Sequence, residues 1–148
     1  GFLAWVKPLM PVDRAQSARI IRVPDRGMTD TDYASISLNN HASLHDLSQT
    51  MGVDLSPLRW RGNIWLDDLA AWGEFGLIGK KFTIGSVTFE GVEPIERCLA
   101  TTANPATGLR DADTLKALNE TYKHQDFGIY ARVVKGGEIA TGDTLDIL

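Results

Sequence analysis

The residues with the clearest potential for chemistry lie between positions 94 and 108, where the single cysteine of the chain, Cys98, directly follows Arg97. A positive charge next to a thiol favours the thiolate, which is the form that attacks electrophiles and ligates soft metals. Free cysteines also occur as small hydrophobic core residues. Two interpretations of Cys98 therefore stay open at this point, a reactive or metal-binding thiolate and a structural core residue.

The residues after Cys98 have the composition of a polar turn. Thr101 and Thr102 precede the run Asn104-Pro105-Ala106-Thr107-Gly108. Asparagine, proline and glycine each favour turns, and hydroxyl and backbone N–H groups in such a loop can face an anion. We therefore expect anion binding and thiolate chemistry to share this loop.

A second group of donors lies in residues 58–66, where large apolar and polar residues alternate as they do in a half-buried strand. In a strand, Arg59, Arg61 and Asn63 would share one face. Two guanidinium groups and an amide on one face could bind a phosphate or another oxyanion. The alternative is an edge strand whose polar side faces only solvent.

Two pairs of residues have spacings that occur in metal sites. His41 and His45 lie four residues apart on a predicted helix, but no glutamate stands between them in the metalloprotease position and a third zinc ligand is not evident. Asp30 and Asp32 lie in a predicted loop, where a solvated turn explains them better than a metal site does.

Composition limits the class of protein. The 148 residues fit one domain, and the hydrophobic share of 43% and charged share of 23% are typical of globular proteins. A net charge of −4 argues against nucleic acid or an anionic membrane as a partner. A lone cysteine forms no internal disulfide and no long apolar run is present, so we expect a cytoplasmic location.

The elements that must position these groups are mainly strands. Gly85-Ser86 separates residues 81–84 from residues 87–90, and a glycine at the first turn position predicts a type II′ hairpin. The second strand continues towards Pro94, so Cys98 should lie at a strand end. Further strands are predicted at residues 18–23, 35–38, 127–134, 138–140 and 145–148, helices at 41–51 and 111–120, and a loop at 25–32. The pattern indicates a mainly β barrel or sandwich.

Taken in order, several short motifs between residues 35 and 148 resemble those of the MOSC domain, which is named after the C-terminal domain of molybdenum cofactor sulfurase. The order of the motifs is more specific than any one of them. They are Ala42-Ser43-Leu44, Arg61-Gly62-Asn63-Ile64, Gly79, Ile84-Gly85, Arg97-Cys98, Thr101-Thr102, Asn104-Pro105, Thr107-Gly108 and Gly142-Asp143.

The resemblance implies a closed, Greek-key-like β-barrel with two or three short helices and a site for the molybdenum cofactor, molybdopterin. It implies that Cys98 ligates molybdenum and is the catalytic residue. The pterin and its phosphate would be lined by Arg61, Asn63, Arg97, Thr101, Thr102, Asn104 and Thr107.

The function implied is that of a cofactor-binding domain in an oxidoreductase that reduces N-hydroxylated or N-oxide compounds. Its partners would be a small-molecule substrate and an electron-donor protein, and its chemistry would not use pyridoxal phosphate. The alternative is a sulfur-carrier or cofactor-delivery module in which Cys98 receives sulfur from a cysteine desulfurase as a persulfide.

The domain expectation is a single MOSC domain over residues 1–148, with residues 1–34 as a remnant of, or linker from, a preceding N-terminal β-barrel domain. The chain begins at Gly1 with a segment that reads like the interior of a protein. It also has Asn104 where the family pattern usually has aspartate. A C-terminal fragment and a minimal version of the domain both remain open.

Overall fold

The fold is organised around one six-stranded sheet in a computed structural model that describes residues 1–24 and 27–148. The spatial order is β2-β1-β5-β4-β3-β6, with β1 and β2 parallel and every other neighbouring pair antiparallel. The strands are β1 Ile36–Asn40, β2 Ile64–Leu66, β3 Lys81–Ile84, β4 Val87–Glu96, β5 Asp126–Lys135 and β6 Leu145–Ile147.

The sheet curls into a half-barrel, which confirms the mainly β class but corrects the expectation of a closed barrel. The edge strands β2 and β6 have three residues each, and no ladder joins them within the described residues. Residues 139–144 lie between the two edges instead and line a hollow there. The edges are too short to close the barrel, and an irregular segment occupies the gap.

Three short α-helices are present in the described chain: α1 Phe2–Val6, α2 His41–Met51 and α3 Thr114–Ala117. Helix α2 begins as predicted, because the Asn40 side chain accepts a hydrogen bond of 3.0 Å from the Ala42 N–H, and it ends at Gly52 with φ of 66°. Among the residues with described coordinates, no helix is both long enough and apolar enough to cross a bilayer. Turns of 3₁₀-helix cover Lys7–Leu9, Pro57–Trp60, Gly73–Leu77 and Leu99–Thr102, and a π-helical turn covers Leu118–Tyr122.

Two apolar clusters fix the long strands that lead to the site. One packs Leu38, Phe82 and Ile129 on one face of the sheet, and the other packs Trp60 and Phe127 against α2. All five of these side chains are at most 1% exposed. Because β5 contributes to both clusters, its position is set from two sides, and β4 pairs with it along most of its length.

The predicted hairpin is confirmed, with Gly85 at φ of 56° while Ser86 has no positive φ, as a type II′ turn requires. Strand β4 then runs to Glu96 and delivers the chain to Cys98. The thiol therefore lies just beyond a strand end, as predicted.

Several predicted elements are absent. Residues 18–23 and 138–140 form no strand, and residues 58–66 are a strand only over their last three positions. The predicted helix at 111–120 is reduced to α3 and the π-helical turn. Part of the predicted loop at 25–32, namely residues 25 and 26, lies outside the described residues. Propensity alone does not make a strand, which also needs a partner for its backbone groups.

Candidate functional site

Cys98 is exposed and lies where two hollows meet. Its exposure rules out a role as a buried core residue. The first hollow, of about 360 Å³, is walled by residues that include Arg59, Trp60, Arg61, Asn63, Arg97, Thr101 and Tyr130. The second hollow, of about 810 Å³, shares Arg97 and Cys98 with the first and adds Arg14 and Arg110.

Arg97 is the best-fixed cation of the site. Its Nε donates to the Phe127 carbonyl, its Nη1 to the Trp60 carbonyl and its Nη2 to Asn39 Oδ1, each at 2.8 Å. The guanidinium carbon also lies 5.5 Å from the centre of the Trp60 ring and 5.9 Å from that of Phe127. Burial lowers the pKa of Arg97 to about 10, so the group stays charged at neutral pH. It has no carboxylate partner within the described residues.

Arg59, Arg61 and Asn63 line the first hollow, but a turn rather than a strand face places them there. Pro57–Trp60 forms a 3₁₀ turn, and Arg61 follows it in the left-handed region with φ of 51°. Such a conformation is uncommon for arginine and recurs at functional sites. The Arg61 side chain is exposed and makes no hydrogen bond within the described part of the chain, so its donors are available to a ligand.

Arg59 and Asn63 are partly used by the fold. Arg59 is buried and donates from Nη2 to Asp111 Oδ1 at 2.5 Å and from Nη1 to the Thr102 carbonyl at 3.2 Å, which leaves its buried Nε without a partner among the described residues. Asn63 Oδ1 accepts from the backbone and hydroxyl of Ser37 at 3.0 and 2.9 Å. The Asn63 amide nitrogen is left as the donor on that side chain.

The two threonines lie in the turn after Cys98 and are buried. Thr101 Oγ1 donates to the Cys98 carbonyl at 3.1 Å and lies 2.7 Å from Thr114 Oγ1. Thr102 Oγ1 donates to the Leu99 carbonyl at 2.7 Å. Thr101 borders the first hollow and Thr102 does not. Both hydroxyls hold the Leu99–Thr102 turn in place, and thereby the backbone that carries the thiol.

Asn104 and Thr107 lie in the following loop and line neither hollow, although the adjacent Ala103 and Gly108 line the second one. Asn104 donates to Asp111 Oδ2 at 2.6 Å and accepts from the Ala106 N–H at 2.9 Å, while Thr107 Oγ1 accepts from the Leu109 N–H at 3.3 Å. The hydrogen bonds from Asn104 and then Arg59 hold the pKa of Asp111 below its usual value. Asp111 thus joins this loop to the wall of the first hollow.

Three residues of the site were not predicted from the sequence. Trp60 carries a buried Nε1 with no partner in the described chain, and its ring stacks 3.9 Å from that of Phe127. Tyr130 borders the first hollow from β5, and burial together with the charge of Asp30 raises its pKa. Asn39 reaches Arg97 from β1. These residues lie far apart in sequence, on the Pro57–Trp60 turn, β5 and β1, so only the tertiary fold brings them together.

The metal-binding alternatives receive no support. His41 Nδ1 lies 2.6 Å from Asp67 Oδ1, and His45 Nε2 lies 2.9 Å from the Gln49 side-chain nitrogen. Across residues 1–24 and 27–148, no group of three or more histidine, cysteine, aspartate or glutamate side chains could hold a metal ion.

Comparison with known proteins gives consistent matches. The chain is 34% identical over 124 residues to mitochondrial amidoxime reducing component 2 of Homo sapiens, which covers 76% of the chain and 36% of that relative. It is 33% identical over 100 residues to the molybdenum cofactor sulfurase of Drosophila pseudoobscura pseudoobscura, covering 67% of the chain and 12% of the relative. The chain therefore spans about a third or less of the length of these two relatives.

A solved structure shows the same fold. The crystal structure of YiiM from Geobacillus stearothermophilus superposes with a TM-score of 0.59 at 19% identity, over 76% of this chain and 53% of that chain. The family model described as the MOSC domain matches residues 25–146, a span that contains strands β1 to β5 and the three arginines of the first hollow, Arg59, Arg61 and Arg97. The chain belongs to the MOSC domain family.

Proposed function

We propose that the chain is the molybdenum-cofactor-binding domain of an oxidoreductase that reduces N-hydroxylated or N-oxide compounds, with Cys98 as the thiolate ligand of molybdenum. The observation that carries this proposal is an exposed thiol at the rim of a hollow whose wall holds a fixed cation, Arg97, that pairs with no carboxylate of the described residues. A relative named for amidoxime reduction and another named for the molybdenum cofactor support it.

The residues present fit such a cofactor. A hollow of about 360 Å³ lies within the usual range for small-molecule sites. Its wall offers the exposed guanidinium of Arg61, the charge of Arg97 and the buried N–H groups of Arg59 and Trp60, for which the described residues supply no partner. Buried donors without partners are costly, and a ligand that accepts their hydrogen bonds removes that cost. An anionic, polar ligand is what this wall selects.

Four residues have defined roles in this proposal. Cys98 supplies the soft sulfur ligand that suits molybdenum, and Arg61 and Arg97 bind the pterin phosphate. The Asn63 amide nitrogen donates to the pterin. When bound, the molybdenum centre supplies the redox chemistry.

Tyr130 is placed to hold a proton at the site. Burial is the largest cause of its raised pKa, and the negative charge of Asp30 acts in the same direction. The phenol therefore stays protonated at neutral pH, and its hydroxyl donates to Asp30 Oδ2 at 3.4 Å where both residues line the first hollow. A small-molecule substrate and an electron-donor protein complete the proposed reaction.

The test is molybdenum and pterin content per chain, measured on protein produced with a working cofactor pathway. Wild type, Cys98→Ala and the matched control Leu99→Ala are compared, because Leu99 is the exposed neighbour of the thiol. We expect near-stoichiometric metal in wild type and control, and loss of metal in Cys98→Ala. A Cys98→Ala chain that retains full molybdenum overturns the ligand assignment.

The exposure of Cys98 favours a second candidate function, a sulfur carrier that delivers sulfur to the cofactor. The Cys98 thiolate would attack the outer sulfur of a persulfide on a cysteine desulfurase, forming a new S–S bond and releasing the donor cysteine as a thiolate. Mass spectrometry of the intact chain after incubation with desulfurase and cysteine tests this route. A gain of one sulfur atom that disappears in Cys98→Ala supports it, and the absence of any adduct counts against it.

A further inference from the structure

We propose that Asn39 is a positioning residue that fixes the Arg97 guanidinium beside Cys98 without neutralising its charge, so that the site keeps an uncompensated cation for an anion. The inference deepens the proposed function, on which it rests for the identity of that anion, the cofactor phosphate. Asn39 itself borders neither hollow. It acts through Arg97.

Among the described residues, Asn39 is the only side chain that accepts a hydrogen bond from Arg97. Two of its three hydrogen bonds go to backbone carbonyls, and the third goes from Nη2 to Asn39 Oδ1 at 2.8 Å. Asn39 is fully buried on β1. Because Asn39 is buried and accepts a hydrogen bond from Nη2, it limits the directions in which the remaining N–H groups of Arg97 point.

Two glycines make the space for the Asn39 amide. A Cβ at Gly62 would lie 1.9 Å from Asn39 Nδ2, and a Cβ at Gly128 would lie 2.1 Å from Asn39 Oδ1. Neither distance is compatible with a side chain on these glycines. The amide is therefore held between the loop before β2 and strand β5, with its oxygen turned towards Arg97.

The Asn39 amide is neutral, and this neutrality determines how much positive charge Arg97 keeps. Asn39 Nδ2 is buried and has no hydrogen-bond partner among the described residues, so this position is not optimised for stability. An aspartate of the same shape would accept the same bond from Arg97 and form an ion pair with it. The asparagine instead holds the cation with a neutral acceptor, which leaves the positive charge available at the first hollow.

The chain allows a direct measurement of this charge because Cys98 is its only cysteine. We would compare the rates at which neutral iodoacetamide and anionic iodoacetate alkylate the full chain without cofactor. Both reagents need the same thiolate, so the ratio of the two rates cancels the thiolate fraction and reports the field met by an incoming anion. The experiment does not need molybdenum, and its outcome is therefore separate from that of the metal-content test.

The variants are Asn39→Asp, which keeps the shape and adds the charge, and Gln49→Glu, which makes the same charge change on an exposed position of α2 that borders neither hollow. We expect the iodoacetate-to-iodoacetamide ratio to fall about threefold in Asn39→Asp, as for loss of one unit charge near the thiol in a mostly aqueous surrounding. The control should keep the wild-type ratio. A folded Asn39→Asp chain with the wild-type ratio overturns the inference.

Gly62→Ala supplies a second variant in case Asn39→Asp does not fold. It changes no charge, and its Cβ displaces the Asn39 amide directly. We expect the ratio to fall here as well, because Arg97 loses its fixed position. A merely structural role for Asn39 would lower the melting temperature of Gly62→Ala without moving the ratio, and that result contradicts the proposal.

Discussion

Gly128 gives the sharpest test of how the fold holds the site. It is buried in β5 with φ of 74°, at a register irregularity between β4 and β5. A Cβ there would lie 2.1 Å from Asn39 Oδ1 and 2.6 Å from the Leu38 carbonyl. Gly108 has the same φ of 74°, but a Cβ at that position would meet nothing within 4 Å. Gly108→Ala therefore matches the backbone strain of Gly128→Ala without its steric conflict.

The expected magnitudes follow from these two contributions. Alanine in the left-handed region costs about 1 kcal/mol, partly offset by the lower entropy of the unfolded chain. Overpacking a buried position adds about 1–3 kcal/mol. We expect Gly108→Ala to lower the free energy of unfolding by at most about 1 kcal/mol and Gly128→Ala to lower it by about 2–4 kcal/mol.

Urea denaturation of the two variants and the wild type measures this difference. For a chain of this size, the Gly128→Ala loss corresponds to a fall in melting temperature of roughly 6–12 °C. Equal destabilisation by both alanines would show that backbone strain alone explains the glycine at 128. The close approach of Asn39 to β5 would then have no energetic role, and the steric part of the reasoning would be refuted.

Three further predictions concern the Asn104–Asp111 contact and Arg61 of the first hollow. Asn104→Asp should destabilise the loop and raise the pKa of Asp111, because it replaces the donor at 2.6 Å with a second carboxylate; NMR titration measures that pKa. The pKa of Asp111 is lowered in the folded chain, so the stability that its carboxylate contributes is present above its unfolded pKa and is lost as pH falls through the folded pKa. The urea midpoint should therefore fall less with acidification in Asp111→Asn than in wild type. Arg61→Gln should leave the melting temperature within about 2 °C of wild type and reduce pterin retention, because Arg61 makes no hydrogen bond within the described chain; parallel calorimetry and pterin assays check both.

The sequence alone predicts those elements whose conformation is set by residues close to them in the chain. The helix predicted over residues 41–51 is α2, which the structure bounds with Asn40 at its start and Gly52 at its end. The hairpin followed from Gly85, and the position of Cys98 beyond β4 followed from the hairpin. In each case the side chain or turn residue that sets the conformation lies within a few positions of the element it controls.

The prediction failed where distant contacts decide the conformation. Residues 58–66 alternate like a strand, but Arg61 adopts a left-handed conformation that the neighbouring sequence does not predict. Gly62 is needed there because the Asn39 side chain lies against it. Residues 138–140 were predicted as a return strand. Glu138 instead exchanges hydrogen bonds with Ser86 at the hairpin turn, which ends the pairing before a ladder forms.

The candidate site shows the same division between local and distant information. Arg97 and Cys98 were found because they are adjacent in sequence, whereas Trp60, Tyr130 and Asn39 reach the site from other elements. The predicted set also contained Asn104, whose donor group is used by Asp111 inside its own loop. A residue type suited to a ligand is thus a weak signal when a neighbouring partner can use the same group.

The position of Cys98 between two hollows bears on both proposed functions. A permanent metal ligand needs one hollow for the cofactor and an open approach for the substrate, and the first and second hollows can supply these separately. A sulfur carrier needs a thiol that a donor protein can reach, and the same exposure supplies that. What distinguishes the two is the fixed charge of Arg97, because a group that holds an anionic cofactor beside the thiol serves lasting binding more than transient transfer. The buried contacts of Arg97 therefore favour the ligand role for Cys98.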